Sequence, residues 1–241
     1  MSAPSHSTYH ALQAKLQRRF SRGFTLLGSF AYGRSIDNGS GVRTTDGDSL
    51  TPSNNYDLRL ERGLSAFDFR RRLTTSWLWD LPLGANTLLR GWQLGGILTM
   101  QDGFPFTVLC GPGNIQNGGG ACYPDATGAN PNLARNQQTR THFFNIDAFV
   151  DRLPFGPQFR YGNSARNTVI GPGILNFDAS INKKFTLSES KYVEFRTEVF
   201  NLPNHPIWNP PGRTLRNPDY GVITSTRIDS RQIQFALKVV F

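Results

Sequence analysis

The sequence lacks the features of a helical membrane protein, of a signal-bearing precursor and of the common enzyme classes. No stretch reaches about 18 uninterrupted apolar residues, which excludes membrane-spanning helices. The first residues, MSAPSHSTYH, have neither the basic start nor the apolar run of a signal peptide. An exported protein would therefore need an export signal outside this sequence. No nucleophile motif, phosphate-binding loop or dinucleotide fingerprint is present, so we predict no catalysis and no cofactor.

Candidate metal ligands are also few. The histidines are scattered over different segments, as His6, His10, His142 and His205. Two acidic residues in the stretch TTDGDSLTPSNN, Asp46 and Asp48, offer oxygen ligands for Ca²⁺, but the spaced acidic ligands and terminal Glu of an EF-hand are missing. We favour a turn-forming loop for this stretch over a metal site.

Cysteine is scarce, and the two cysteines, Cys110 and Cys122, lie in the glycine-rich stretch CGPGNIQNGGGACYPD. A metal site would need further cysteine or histidine at close spacing. A flexible loop between two cysteines suits a local disulfide in an oxidising compartment. We predict a Cys110–Cys122 disulfide.

The chain is basic, with 26 Lys+Arg against 17 Asp+Glu and a net charge of +9. Such a balance suits nucleic acid or anionic lipid. The densest basic run is Arg70, Arg71 and Arg72, and no zinc-finger spacing, basic helix or aromatic RNA-binding motif accompanies it. We predict a solvated loop rim for these arginines and no nucleic-acid partner.

What the sequence does contain is alternation of period two. In RQIQFALKVVF at the end of the sequence, the bulky apolar residues fall on one side of a strand; they are Ile233, Phe235, Leu237, Val239 and Phe241. Such a face either packs on the core of a soluble sandwich or barrel, or faces lipid in a transmembrane barrel.

Seven segments alternate in this way, and their lengths and connections favour the membrane. They span 9–20, 24–35, 69–81, 91–102, 174–185, 192–201 and 231–241. Strands of about 10 to 13 residues suit a tilted bilayer crossing, whereas strands of soluble sheets usually have about five or six residues. Short connections alternate with the long ones at 36–68, 103–173 and 202–230, as periplasmic turns and extracellular loops do. We predict an all-β fold built from seven or so antiparallel strands of a transmembrane β-barrel.

The opposite face of the strands is polar. Glu194, Arg196 and Glu198 share it on the sixth strand, and Asp178 and Asn182 share it on the fifth. The two glutamates are about 13 Å apart at about 3.3 Å per residue, beyond the roughly 5 to 9.5 Å of glycosidase carboxylate pairs. We interpret all five as lumen-facing residues, with Arg196 in a charge ladder between two acids.

Several motifs in order resemble one family. The stretches YHALQAKLQRRFSRGFTLLGSFAYGRSIDN, FDFRRRLTTSWLWDLPLG, GWQLGGILTMQDGFPFTV, FNLPNHPIW and RQIQFALKVVF are similar to the C-terminal part of TonB-dependent outer-membrane receptors, specifically the Oar-like group with a carboxypeptidase-regulatory-like domain. The resemblance spans about residues 9–241. It implies a barrel of about 22 strands with a plug in its lumen, energised by the TonB complex through N-terminal parts that this sequence does not contain. Residues 1–241 would supply the C-terminal portion of such a barrel.

The resemblance also suggests partners. A terminal Phe preceded by alternating apolar residues resembles the signal read by the barrel-assembly machinery. Arg71 would face outward at the outer rim toward lipopolysaccharide phosphates, while Arg70 and Arg72 would face the lumen. Seven strands leave two open edges that are costly in hydrocarbon, so we expect a truncated chain or a separate remainder. The alternative function is a soluble or surface β-sandwich adhesin or carbohydrate-binding module.

Overall fold

A computed structural model of the chain describes residues 6–21, 23–40, 51–54, 56–84, 86–112, 121–151 and 160–241. The regular secondary structure of this part is almost entirely β-strand, with short 3₁₀ helices at Leu58–Glu61 and Ile146–Ala148. None of its helices has the length and apolar character needed to cross a membrane. In chain order the strands are β1 (Ser7–Ser21), β2 (Phe24–Asp37), β3 (Gly63–Leu64), β4 (Arg71–Asp80), β5 (Trp92–Gln101), β6 (Pro105–Phe106), β7 (Asp125–Ala126), β8 (Phe149–Val150), β9 (Val169–Ile170), β10 (Ile174–Thr186), β11 (Tyr192–Phe200) and β12 (Gln232–Val240).

The long strands form one antiparallel sheet, which we call the wall. Its order is β1-β2-β4-β5-β10-β11-β12, so each long strand pairs with the long strand before it in the chain, and β3 adds a short pairing to β2. The predicted segments and these strands agree within a few residues at each end. The predicted all-β fold of seven long antiparallel strands is confirmed.

The pairing register collects apolar side chains on one face of the wall and polar side chains on the other. One row of paired residues on the first face runs Leu26, Trp77, Gly96, Ala179, Val199 and Ile233. A row on the second face runs Asp80, Gln93, Asn182, Arg196 and Ala236. We call these surfaces the apolar face and the polar face. A register slip of one residue would exchange them, so the alternation in the sequence fixes the register.

The described residues leave most of the apolar face uncovered. On β12, Phe235 and Leu237 are 70% and 68% exposed, and Ile181 on β10 is 46% exposed. The other sheets of the described residues, β6–β9 and β7–β8, are two-stranded and belong to the long connections. This is not a β-sandwich, in which two sheets bury their apolar faces against each other.

The wall has two open edges. Strand β1 pairs only with β2, and β12 pairs only with β11, within the part of the chain that the structure describes. Both strands therefore present backbone donors and acceptors along one side.

The buried hydrophobic cluster lies in the long connections. Residues of the second long connection supply most of it and residues of the third complete it: Phe106, Val108, Phe143, Phe144, Ala148, Phe149, Val169, Leu215 and Ile223. Backbone bonds join the two connections, for example from Phe143 N to Gly221 O at 3.0 Å and from Ile223 N to Arg140 O at 2.8 Å. We call the described residues of 102–173 and 201–231 the loop domain.

Candidate functional site

The candidate site is the polar face together with its junction to the loop domain. On β11, Arg196 lies between two acids: its Nη2 is 2.9 Å from Glu194 Oε1 and its Nη1 is 3.7 Å from Glu198 Oε1. Lys184 and Lys238 pair with Glu194 from the two neighbouring strands. The polar face thus carries charges of alternating sign along and across the strands, which suits contact with water.

The polar pattern continues through amide side chains on the neighbouring strands. Asn182 Nδ2 donates to Gln93 Oε1 at 3.1 Å, and Gln93 Nε2 donates to Asp80 Oδ1 at 2.8 Å. These bonds run across β10, β5 and β4. The polar face is therefore held by cross-strand hydrogen bonds as well as by its backbone ladder.

Asp178 organises the junction between the wall and the third long connection. Its carboxylate accepts from Asn176 Nδ2 at 3.0 Å and from Asn201 N at 2.8 Å. Asn201 has a positive φ of 51°, and its Nδ2 donates to the carbonyls of His205 and Asp229.

Within the described residues, two cavities open on the polar face. A small cavity of about 150 Å³ lies at this junction, lined in part by Asp178, Asn201 and Asp229. A larger one of about 330 Å³ lies beside Arg196 and Glu198.

A buried ion pair fastens the loop domain to the wall. The guanidinium of Arg166 pairs with the carboxylate of Asp37 at the end of β2, and their side chains are 2% and 4% exposed. Arg166 also donates from Nε to Glu61 O at 2.8 Å and from Nη2 to Asp37 O at 2.9 Å. Taking two charges out of water is tolerated only when both are paired and hydrogen-bonded, as they are here.

Glu61 ties the first long connection into the same junction. It is 2% exposed, and its carboxylate accepts from Ser53 N at 2.7 Å and from the hydroxyl of Tyr123 at 2.6 Å. Asp68 likewise accepts from Ser35 N at 2.6 Å. The first and second long connections are thus joined to each other and to β2 by buried polar contacts.

The cysteines stiffen the loop domain. Cys110 and Cys122 form a disulfide, and Cys110 N donates to Cys122 O at 3.0 Å. Next to it, Arg216 Nε is 2.7 Å from Asp151 Oδ2, and that carboxylate also accepts from Gly111 N at 3.1 Å. This ion pair links the third long connection to the second.

Tyr220 and Asp57, both in the long connections, have shifted pKa values. Burial, with a smaller contribution from Asp147, raises the pKa of Tyr220 far above its usual value near 10. On the surface, hydrogen bonds from Arg59 lower the pKa of Asp57 to about 2. Tyr220 packs edge-on against Phe144 with ring centroids 5.3 Å apart, so its titration is coupled to the packing of the loop domain.

The consecutive residues Arg70, Arg71 and Arg72 have different surroundings. Arg71 pairs with Tyr32 on the apolar face, and its guanidinium contacts Asp102 at 2.7 and 3.1 Å. Arg72 pairs with Ala31 on the polar face. Arg70 Nε is buried without a hydrogen-bond partner among the described residues.

The last strand displays its apolar residues as the sequence pattern predicts. Ile233, Phe235, Leu237 and Val239 are each more than half exposed, and Phe241 after β12 is 96% exposed. Phe235 stacks on Phe195 of β11 with ring centroids 6.2 Å apart. The apolar face therefore continues to this edge of the wall.

The sequence analysis identified the charged residues Glu194, Arg196 and Glu198 on the polar face. It did not identify the buried residues that join the loop domain to the wall. Asp37 and Arg166 are 129 positions apart, and no local pattern marks either residue as buried. Asp46 and Asp48 lie outside the described residues. Within those residues, no group of three or more His, Cys, Asp or Glu could hold a metal ion.

Comparison with known protein families identifies this architecture. The model of the family described as "Outer membrane beta barrel domain" matches residues 1–234. The chain belongs to this family. No curated protein and no solved structure matches it. As an outer membrane beta barrel domain, it is located in the outer membrane.

Membership of this family indicates which environment each face of the wall contacts. In an outer membrane beta barrel the outward side chains meet lipid and the inward ones meet the lumen. The exposed apolar face, with Phe235 and Leu237, is then the lipid side. We therefore expect the polar face, with Glu194, Arg196 and Glu198, to be the lumen side.

Proposed function

We propose that this chain forms part of the wall and outer cap of a TonB-dependent outer-membrane transporter. The substrate enters from the cap and passes along the polar face into the periplasm. The long connections are extracellular and the short turns are periplasmic, as in other outer-membrane barrels. The protein is a transporter rather than an enzyme, and its substrate is not specified by these residues.

The observation that carries this proposal is a wide wall with a solvated, charged polar face. In a barrel of about eight strands the interior is just wide enough to be filled by side chains. Here β1 and β12 each have one side without a partner strand within the described residues, and Arg196 on the polar face remains 47% exposed. This favours a larger barrel that further strands complete through β1 and β12.

The loop domain supports recognition on the extracellular side. Its hydrophobic cluster, its disulfide and the Asp37–Arg166 pair give it a fixed shape at the end of the wall. Binding residues are often carried by loops that a rigid scaffold positions. The cavity beside Asp178 and Asp229 lies where this domain meets the polar face, which makes it a candidate point of substrate contact.

The proposal includes four partners. The apolar face contacts outer-membrane lipid, and β12 with Phe241 is the part read by the barrel-assembly machinery. The TonB complex acts through N-terminal segments outside this sequence. Lipopolysaccharide phosphate contacts Arg71, in competition with Asp102, which already binds this guanidinium. If Arg71→Ala left lipid A binding and barrel thermal stability unchanged, the lipopolysaccharide contact would be abandoned.

Transport is tested by comparing nutrient depletion in three strains of the source bacterium. These are the wild type, a strain lacking this gene and a strain lacking TonB. We expect at least one solute whose depletion is lost in both mutant strains. In the strain lacking this gene, a plasmid that carries the gene should restore that depletion. If deletion of the gene changed the depletion of no solute whose uptake needs TonB, the transporter assignment would be contradicted.

A further inference from the structure

A buried lysine interrupts the apolar face near its short-turn end. Lys183 pairs with Trp92 of β5 and Phe195 of β11 in a row of apolar-face residues, yet it is only 2% exposed. An ammonium on the lipid side of a barrel is unfavourable unless its donors are satisfied.

The turn between β4 and β5 supplies what Lys183 needs. Nζ donates to Thr87 O and Leu88 O, each at 2.9 Å, and also to Arg90 O. The ammonium has three donors, so these three carbonyls satisfy it. Rings of Trp92 and Phe185 lie 5.3 and 4.8 Å from Nζ.

The turn is built to present those carbonyls. Leu89 N and Arg90 N both donate to Asn86 O, at 3.0 and 2.8 Å, which closes a single turn and leaves the following carbonyls free. Gly91 has a φ of +83°, and a Cβ there would lie 2.5 Å from Lys184 O, so glycine is required where the turn meets β10. Trp92 Nε1 donates to Leu88 O at 2.9 Å. Residues 86–91 are therefore held against the apolar face.

Held in this position, the turn displays leucines and a cation side by side. Leu88 and Leu89 are 75% and 47% exposed, and Arg90 is exposed beside them. Aromatic residues such as Trp92 and Phe185 concentrate at the level of lipid headgroups. Leucines at this level reach acyl chains, and an adjacent arginine reaches phosphate.

We propose that residues 86–91 form a lipid anchor that inserts Leu88 and Leu89 into the periplasmic phospholipid leaflet, with Arg90 at the phosphates and Lys183 as the clamp. The occupant is phospholipid because this surface continues the apolar face, which is the lipid side of an outer membrane beta barrel. The inference rests on outer-membrane location and on short turns at the periplasmic side. It does not depend on transport.

The first test measures depth in the full-length protein assembled in outer-membrane vesicles. Spin labels are attached at Leu88→Cys and, as a matched control in the other exposed short turn, at Ser188→Cys. Collisions with oxygen report lipid, and collisions with a water-soluble nickel chelate report water. We expect the oxygen-to-nickel ratio to be severalfold higher at position 88 than at 188. Equal ratios, or protection of position 88 from both reagents by a protein partner, would overturn the anchor.

The second test releases the clamp. Lys183→Met removes the ammonium, whereas Lys184→Met alters the neighbouring lysine on the polar face. We expect the label at position 88 to become water-accessible in the Lys183→Met protein and to stay in lipid in the Lys184→Met protein. An unchanged depth after Lys183→Met would refute the clamp. If that variant does not assemble, the depth at position 88 with Lys183 intact still decides the proposal.

Discussion

At the scale of single residues, the most consequential contact is the buried pair of Arg166 and Asp37. Each charge is nearly inaccessible to water, and the pair joins a loop to the end of β2. Removing one partner leaves the other charge buried and unpaired, which costs about 3 to 5 kcal/mol. We expect Arg166→Met to lower loop-domain stability by that amount, measured by protease resistance of the assembled protein against denaturant.

Two controls accompany this prediction. Arg166→Met combined with Asp37→Asn leaves no uncompensated charge, so it should be less damaging than Arg166→Met alone. Arg59→Met removes an exposed ion pair with Asp57 and should leave stability unchanged. If Arg166→Met behaved like Arg59→Met, the buried pair would not hold the loop domain in place.

A second residue-scale prediction concerns Tyr220 and alkaline pH. Its folded pKa is raised by burial, whereas an unfolded tyrosine ionises near pH 10. The folded state therefore keeps a proton that the unfolded state loses, and this contribution is complete below about pH 10 and declines above it. Tyr220→Phe should flatten the loss of loop-domain stability above about pH 10, measured by protease resistance across pH.

The matched control is Tyr56→Phe, because Tyr56 is 98% exposed. That variant should keep the pH dependence of the wild type. Identical pH profiles for all three proteins would argue against the buried position of Tyr220.

At the scale of elements, the disulfide closes a loop with a sequence separation of 12 in the loop domain. Bridges of this kind typically contribute about 2 to 4 kcal/mol, largely by restricting the unfolded chain. We expect Cys110→Ser with Cys122→Ser to lower loop-domain stability by that amount and to leave the wall in place. Reductant should reproduce the effect in the wild type and do nothing to the variant. A reductant effect of equal size on both proteins would contradict this role.

The strands of the wall make a sharper prediction because adjacent residues meet different solvents. Leu98 and Thr99 are neighbours on β5, the first on the apolar face and the second on the polar face. Arginine facing lipid near the bilayer midplane costs about 2 to 4 kcal/mol. Leu98→Arg should therefore reduce the amount of assembled, heat-modifiable protein in the outer membrane, and Thr99→Arg should not. Equal losses would mean that the faces are not lipid and lumen.

The sequence predicts some elements of the fold and not others. Alternation predicted all the long strands, since most bulky residues of a strand such as β12 share one face. The same reasoning identified Glu194, Arg196 and Glu198, which lie within one strand. It could not find Asp37, Glu61 or Arg166, because their contacts join segments far apart in the chain. Irregular loops have no period from which burial can be read.

At the scale of the whole molecule, two parts use different sources of stability. The wall leaves its apolar face to lipid and is held by its backbone ladder and cross-strand contacts. The loop domain, which we propose to be extracellular, is held by a hydrophobic cluster around Phe144, a disulfide and the buried Arg166–Asp37 pair. Detergent should therefore affect the wall most, and reductant the loop domain.

The central claim is that the apolar face meets lipid and the polar face meets the lumen. Single cysteines at successive positions 177–181 of β10 in the assembled protein test it most directly, because the native cysteines are already paired. We predict that a water-soluble thiol reagent modifies positions 178 and 180, while a bilayer-restricted reagent modifies 177, 179 and 181. Reactivity without this alternation, or with the two reagents exchanged, would contradict the account.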